Sequence, residues 1–157
     1  MHAPALSPRD ALTVARILKV NHAGEHGAIR IYSSQIAVAK RLYPELVQPL
    51  SEMLSHEIEH RAKFISAMPS RRARHCRIMS LWGIGGTMLG LMTALLGRQA
   101  IWATTAAVEA AVHRHLNDQL GFLETRDVDL FHLIAAIRSE EISHLRTAEA
   151  QIVSQTM

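Results

Sequence analysis

Two stretches of the chain carry the same spacing of acidic and histidine side chains. In each stretch, a lone glutamate is followed 32 residues later by a Glu-x-x-His segment. The six side chains of this duplicated pattern are Glu25, Glu57, His60, Glu109, Glu141 and His144. Residues three apart on a helix share one face, so each Glu-x-x-His segment directs two side chains at one point. The pattern therefore predicts four carboxylates and two imidazoles around a pair of metal ions.

This combination of side chains is similar to the ligand set of ferritin-like di-iron proteins, in which two helices supply a glutamate and two others supply Glu-x-x-His. Four buried glutamates would repel one another, and two divalent ions would cancel their charge. Oxygen-rich ligation with imidazole and without thiolate suits iron or manganese, and iron is the usual choice for dioxygen chemistry. We therefore expect two iron ions as the cofactor, and a loss of thermal stability when the metal is removed.

The composition indicates one all-α domain over residues 1–157. The chain is long enough to bury a core without cross-links, and 48% of its residues are hydrophobic. Cys76 is the only cysteine, which excludes an internal disulfide and favours a reducing compartment. The first residues lack the apolar stretch of a signal peptide, so we expect a protein that is not exported.

Helical periodicity and chain-breaking residues predict five helices. Their ranges are about 8–42, 45–67, 78–97, 99–125 and 127–155. Ser7 is suited to cap the first helix, with Pro8 in its first turn. The connections near 43–44 and 125–127 are short, so helices one and two should pair antiparallel, as should helices four and five.

Positions along these helices decide whether the six side chains can meet. Glu25 lies about 18 residues before the first connection and Glu57 about 14 after it, which places both roughly 20–27 Å away from it. Glu109 and Glu141 lie about 17 and 15 residues from the second connection, again at matching heights. All six side chains can therefore share one layer of a ferritin-like four-helix bundle. This match carries more weight than Glu-x-x-His alone, which chance also produces.

Small and imidazole side chains surround Glu25 on the first helix. Gly24 and Gly27 each cost roughly 1 kcal/mol relative to alanine inside a helix. They indicate either close packing against a neighbouring helix or open space beside Glu25. His22 and His26 are similarly open to two interpretations, as partners that orient Glu25 or as ordinary interface histidines.

Residues 78–97 contain no charged side chain and are long enough for a transmembrane helix. A helix that crosses the bilayer is disfavoured here, because Glu109 follows only twelve residues after Gly97 and must reach the same site as Glu25. The segment is then a membrane-interfacial anchor, a buried crossover helix, or both, and we expect both roles. A basic run over 71–77 precedes it, and favours an anionic membrane surface over nucleic acid, since no aromatic stacking platform accompanies it.

Three other functions are alternatives to a di-iron oxygenase. His56, Glu57 and His60 also match H-E-x-x-H of zinc metalloproteases, but Glu140 stands where the second half would need a histidine. A ferritin-like or rubrerythrin-like oxidase or peroxidase would share the ligands without needing the apolar segment. A non-catalytic membrane-interaction bundle would need none of the ligands.

Over roughly residues 16–150, the chain resembles the demethoxyubiquinone hydroxylase family. The resemblance is carried by five stretches: Asn21-His22-Ala23-Gly24-Glu25-His26-Gly27-Ala28-Ile29-Arg30-Ile31-Tyr32, Glu57-Ile58-Glu59-His60, Leu81-Trp82 through Thr93-Ala94-Leu95-Leu96-Gly97, Val108-Glu109, and Glu140-Glu141-Ile142-Ser143-His144. All six family ligands have a counterpart in the duplicated pattern. The chain departs from the family at His26, Ala110 and Leu116, where tyrosine, glutamate and tyrosine are usual.

The resemblance implies a ferritin-like di-iron monooxygenase, a 3-demethoxyubiquinol 3-hydroxylase of ubiquinone biosynthesis. Such an enzyme hydroxylates the ring of a polyprenylated demethoxyubiquinol with dioxygen and reducing equivalents. The expected partners are the quinol, dioxygen, a membrane surface, an electron donor, other ubiquinone-biosynthesis proteins and a second copy of the chain, but no nucleic acid. The expected location is peripheral, on the cytoplasmic face of the bacterial inner membrane.

Overall fold

A computed structural model describes residues 6–154 as an assembly of helices, without a β-strand in that range. The helices are α1 (Pro8–Leu42), α2 (Val47–Ala67), α3 (Met79–Leu96), α4 (Arg98–Leu123) and α5 (Val128–Ser154). Short 3-10 turns, Pro44–Leu46 and Pro69–Arg71, precede and follow α2. The all-α class and the five predicted helices are confirmed, with ends that differ by a few residues.

Local chemistry explains where these helices begin and end. The Ser7 hydroxyl accepts a hydrogen bond from the backbone N–H of Asp10 at 3.1 Å, which caps α1 as predicted. Gly97 alone joins α3 to α4, and its φ of 113° is a conformation that other residues rarely adopt. This one-residue connection turns the chain sharply, so α4 starts directly beside the end of α3.

The core consists of two apolar clusters that lie above and below the predicted ligand layer. One cluster includes Leu18, Phe64 and Ile134, which are completely buried. The other includes Leu50 and Trp102, also completely buried. Along every helix that contributes a ligand, the ligand position falls between the residues of these two clusters. The polar layer is therefore enclosed by apolar packing at both ends.

Helix α3 lies against α1 as closely as two backbones allow. A Cβ atom at Gly86 would collide with the carbonyl oxygen of Gly27, and one at Gly90 would collide with that of Ile31. By contrast, a Cβ at Gly24 would have no neighbour within 4 Å. Gly24 therefore borders open space. A Cβ at Gly27 would be in ordinary contact with Trp82, at 3.6 Å, so the glycines that the close packing requires are those of α3.

The other face of α3 is exposed and apolar. Among the described residues, α3 is the helix whose length and composition would allow it to cross a membrane, and 28% of Met79–Leu96 is buried. Its large exposed side chains are Leu81, Trp82, Ile84, Met88, Leu91, Met92, Leu95 and Leu96. The interpretation of this segment as a purely buried crossover helix is therefore wrong, because only the glycine-containing face is covered.

Candidate metal centre

All six residues of the duplicated pattern meet in the layer between the two apolar clusters. Ligand atoms of the first group lie within 4.8 Å of one another, and so do those of the second. The first group is Glu25, Glu57, His60 and Glu141, and the second is Glu57, Glu109, Glu141 and His144. None of the six is more than 7% exposed. Glu57 and Glu141 belong to both groups, which is the place expected of carboxylates shared by two ions.

The atoms that face this layer are close together but are not joined by aligned hydrogen bonds. His60 Nδ1 lies 2.9 Å from Glu141 Oε1, and His144 Nδ1 lies 3.2 Å from Glu141 Oε2. Even so, both Nδ1 atoms and both Glu141 oxygens lack a hydrogen-bond partner, because their alignment is poor. Buried polar atoms without partners are rare in proteins. Carboxylate oxygens and imidazole nitrogens that converge in this way fit a pair of divalent metal ions.

The outward nitrogens of the two imidazoles have partners from the opposite helix. His60 Nε2 lies 2.7 Å from Glu140 Oε2, and His144 Nε2 lies 2.8 Å from His56 Nδ1. Glu140 and His144 are spaced i,i+4 on α5, which favours a pair along one helix. Glu140 instead reaches across from α5 to His60 on α2. Such partners fix the orientation of a ligating imidazole and leave Nδ1 free for metal.

A hydroxyl group also reaches the metal layer, and the duplicated pattern did not predict it. The Tyr32 hydroxyl donates a hydrogen bond of 2.6 Å to Glu109 Oε1, and Tyr32 is 2% exposed. A signal was present in the sequence, because Tyr32 follows Glu25 by seven residues and therefore lies on the same face of α1.

Without metal, the charges of this layer are balanced by protons. Burial and the neighbouring carboxylates raise the pKa values of Glu25 and Glu109 well above the ordinary value. Burial alone would also raise the pKa of Glu141, but the imidazoles of His144 and His60 hold it at about 2. Burial alone would lower the pKa of His144, whereas Glu141 and Glu57 raise it to about 10. Metal ions that bind here must therefore displace protons.

His56 does not converge with His60 on one metal position, as a zinc metalloprotease would require. Its Nδ1 contacts the outward nitrogen of His144, and the two rings are nearly parallel, at 3°. The groups of potential metal ligands among residues 6–154 do not include His56. The H-E-x-x-H match is therefore a coincidence of sequence in which His56 supports another histidine.

A cavity of about 830 Å³ extends from the metal layer to α3. Glu25 and Glu109 form part of its inner wall, and the rest of its lining is mainly apolar. The lining residues from α1, α3 and α4 include Gly24, Ile31, Trp82, Leu89, Val108 and Leu116. Volumes of this size are typical of small-molecule sites. The cavity therefore joins the predicted metal ligands to the exposed apolar helix.

Two histidines beside Glu25 on α1 have structural contacts elsewhere. His22 is 1% exposed, its Nδ1 lies 3.4 Å from His75 Nδ1, and burial lowers its pKa to about 4. His26 lies against α3, where its Nε2 would be 2.9 Å from a Cβ at Gly83. These contacts favour the interface interpretation for both histidines.

The basic run before α3 is only partly available to a membrane. Arg71 makes a bidentate ion pair with Asp127, with Nε–Oδ2 and Nη2–Oδ1 distances of 2.6 and 2.7 Å. The pair connects the end of α2 to the start of α5. Arg72, Arg74 and Arg77 are the other arginines of the run, and its His75 lies against His22.

Comparison with known proteins gives the family. Residues 12–157 match the family described as "COQ7: Ubiquinone biosynthesis protein COQ7". The 3-demethoxyubiquinol 3-hydroxylase of Rhodospirillum rubrum is 41% identical over 137 residues, which are 87% of this chain and 64% of that protein. The human mitochondrial NADPH-dependent 3-demethoxyubiquinone 3-hydroxylase is 40% identical over 135 residues, which are 83% of this chain and 61% of that protein.

A yeast relative extends the comparison. The mitochondrial 5-demethoxyubiquinone hydroxylase of Saccharomyces cerevisiae is 34% identical over 165 residues, covering 94% of this chain and 71% of that protein. The chain spans slightly less than two thirds of the length of the bacterial and human relatives. With the match over residues 12–157, these similarities confirm the resemblance noted in the sequence: the chain belongs to the COQ7 family of ubiquinone biosynthesis proteins.

Proposed function

We propose that this chain is a di-iron monooxygenase that hydroxylates the ring of a polyprenylated demethoxyubiquinol. The observation that carries the proposal is the position of six buried potential ligands at the inner end of an apolar cavity that reaches an exposed apolar helix. Three relatives that are 34–41% identical bear names for this reaction. Residues 1–157 would form a single catalytic domain.

In this proposal the six residues would hold two iron ions, and Glu57 and Glu141 are the two that belong to both groups of potential ligands. The ions, when bound, would supply the reduction of dioxygen. One oxygen atom would replace a ring hydrogen as a hydroxyl group, and the other would leave as water after two electrons and two protons are supplied. The chain's own part is to position ligands: Tyr32 holds Glu109, and Glu140 orients His60.

The cavity explains how a very apolar substrate would be oriented. The quinol ring must reach the inner wall, where Glu25 and Glu109 lie, while the prenyl tail extends along apolar side chains toward α3. Gly24 leaves the space beside Glu25 open, since a Cβ there would meet nothing within 4 Å. An apolar wall also excludes water from the reacting ring.

The exposed face of α3 would provide contact with the lipid that dissolves the substrate. Because α3 packs along α1 through glycines, a bilayer-spanning α3 would carry the charged face of α1 into lipid as well. The helix would therefore lie in the interface, with Arg72, Arg74 and Arg77 near anionic headgroups. We place the protein peripherally on the cytoplasmic face of the bacterial inner membrane.

The test is turnover by iron-loaded protein in vesicles that contain a demethoxyubiquinol with a short prenyl tail. NADPH, named for the human relative, and a chemical reductant would be compared as electron sources, and the quinone product would be identified by mass spectrometry. We expect a hydroxylated ring that incorporates oxygen from ¹⁸O₂, and no product from Glu25→Ala. Peroxide consumption without a hydroxylated quinone would instead support the ferritin-like oxidase or peroxidase.

A further inference from the structure

The two outward partners of the imidazoles occupy equivalent places in the duplicated pattern. Glu140 directly precedes Glu141, and His56 directly precedes Glu57. Each reaches across between α2 and α5, so that each half supports the imidazole of the other half. The two halves therefore have the same geometry around their imidazoles.

The chemistry of the two partners differs. Glu140 is a carboxylate that only accepts hydrogen bonds, and Lys63 Nζ lies 3.7 Å from its other oxygen. If His144 binds metal through Nδ1, its Nε2 carries the proton and donates to His56 Nδ1. A nitrogen that accepts a hydrogen bond holds no proton, so His56 acts there as a neutral ring with its proton on Nε2. One imidazole is thus supported by an anion and the other by a neutral group.

We propose that His56 makes the two metal positions unequal, so that the position with His60 fills first and the position with His144 binds its ion more weakly. An anionic acceptor increases the basicity of a ligating imidazole, whereas a neutral acceptor only orients it. His56 is a positioning residue in this account, because it acts through His144. The inference rests on the proposed function in so far as that function places two ions among the six ligands.

The test is anaerobic titration of the metal-free chain with Mn²⁺, following unbound Mn²⁺ by electron paramagnetic resonance. We expect two binding steps of clearly different affinity. His56→Gln keeps a neutral acceptor and should preserve both steps. His56→Leu removes the acceptor and should weaken only the second step, by about 10–100-fold. His56→Glu copies the other half and should narrow the gap between the steps.

Glu140→Gln is the matched control, because it removes the charge behind His60 and should weaken mainly the first step. Two equal steps in the wild-type chain, or a His56→Leu variant that is folded by circular dichroism and binds as the wild type does, would overturn the inference. Neither result would affect the proposed hydroxylase, since two ions would still be bound. Binding of fewer than two ions by the wild type would overturn both.

Discussion

The Tyr32 hydroxyl and Glu109 Oε1 are joined by a buried hydrogen bond of 2.6 Å between α1 and α4. These two helices have few other direct contacts, and the bond connects the first half of the duplicated pattern to a ligand of the second. Burial and the neighbouring carboxylates raise the pKa of Tyr32 well above its ordinary value, so the group stays protonated as a donor. The bond fixes the position of the Glu109 carboxylate, whose Oε1 also lies 4.0 Å from His144 Nδ1.

Replacement of Tyr32 by phenylalanine should destabilise the protein and weaken metal retention. The change leaves Glu109 Oε1 buried without a donor, which costs about 1–3 kcal/mol. Urea unfolding and iron content after dialysis would measure the two effects. Tyr43→Phe, at a half-buried position outside the metal layer, is the matched control and should stay within about 0.5 kcal/mol of wild type. Equal stabilities for the two variants would contradict this role of Tyr32.

The contact between α1 and α3 can be tested by comparing Gly86→Ala with Gly85→Ala. A methyl group at Gly86 collides with the carbonyl oxygen of Gly27, whereas one at Gly85 meets nothing within 4 Å. We expect Gly86→Ala to lower the free energy of unfolding by about 1–3 kcal/mol. Gly85→Ala should be neutral or raise it by up to about 1 kcal/mol, since alanine favours helix. Chemical denaturation in a mild detergent would measure both, and the same loss in both variants would refute the contact.

The ion pair between Arg71 and Asp127 should give a pH-dependent contribution to stability. Burial alone would raise the pKa of Asp127, but the hydrogen bonds from Arg71 and from the backbone N–H of Leu130 lower it below 3.8. A carboxyl group with a lowered folded-state pKa stabilises the fold above its unfolded-state pKa, and the stabilisation is lost as the pH falls. We therefore expect Asp127→Asn to be less stable than wild type at neutral pH, with a difference that is lost as the pH falls through the lowered folded-state pKa of Asp127.

Asn can still cap α5 at this position, as Asp127 does through its hydrogen bond with Leu130, so the comparison isolates the charge. Thermal unfolding of both metal-free proteins across the acid range would measure it. A difference that stayed constant from neutral to acid pH would assign the effect to packing instead of charge.

Removal of metal should lower the melting temperature. Four buried carboxylates without cations must either repel one another or take up protons, and the raised pKa values of Glu25 and Glu109 express that cost. Calorimetry before and after chelation would detect the change, and Mn²⁺ or Fe²⁺ should restore it. Glu57→Ala should lose the metal-dependent part, whereas Glu59→Ala, exposed on the same helix, should retain it. An unchanged melting temperature after chelation would show that the layer is not a metal site.

The meeting of the six ligands could be predicted because it follows from spacing alone. Equal distances from two short connections place Glu25 beside Glu57 and Glu109 beside Glu141, whatever the details of packing. The contacts of Glu140 and His56 could not be predicted in this way. They depend on how α2 and α5 are rotated toward each other, and that rotation is set by core residues from all the helices.

The cavity and the position of α3 depend on contacts between residues that lie far apart in the sequence. The sequence showed an uncharged segment with several glycines. It did not show which face of that helix lies against α1, because contacts such as that between Gly86 and Gly27 decide the orientation. The cavity is lined by residues of all five helices, so no single segment predicts it. Only Gly24 indicated open space beside Glu25, and it could not be distinguished from Gly27 by sequence.

The most direct test of the central claim is X-ray diffraction at the iron absorption edge from crystals of the iron-loaded protein. We expect two anomalous peaks in the buried layer, both in contact with Glu57 and Glu141. One peak should lie beside Glu25 and His60, and the other beside Glu109 and His144. A layer without iron in fully loaded crystals, or iron bound only at the protein surface, would contradict the account.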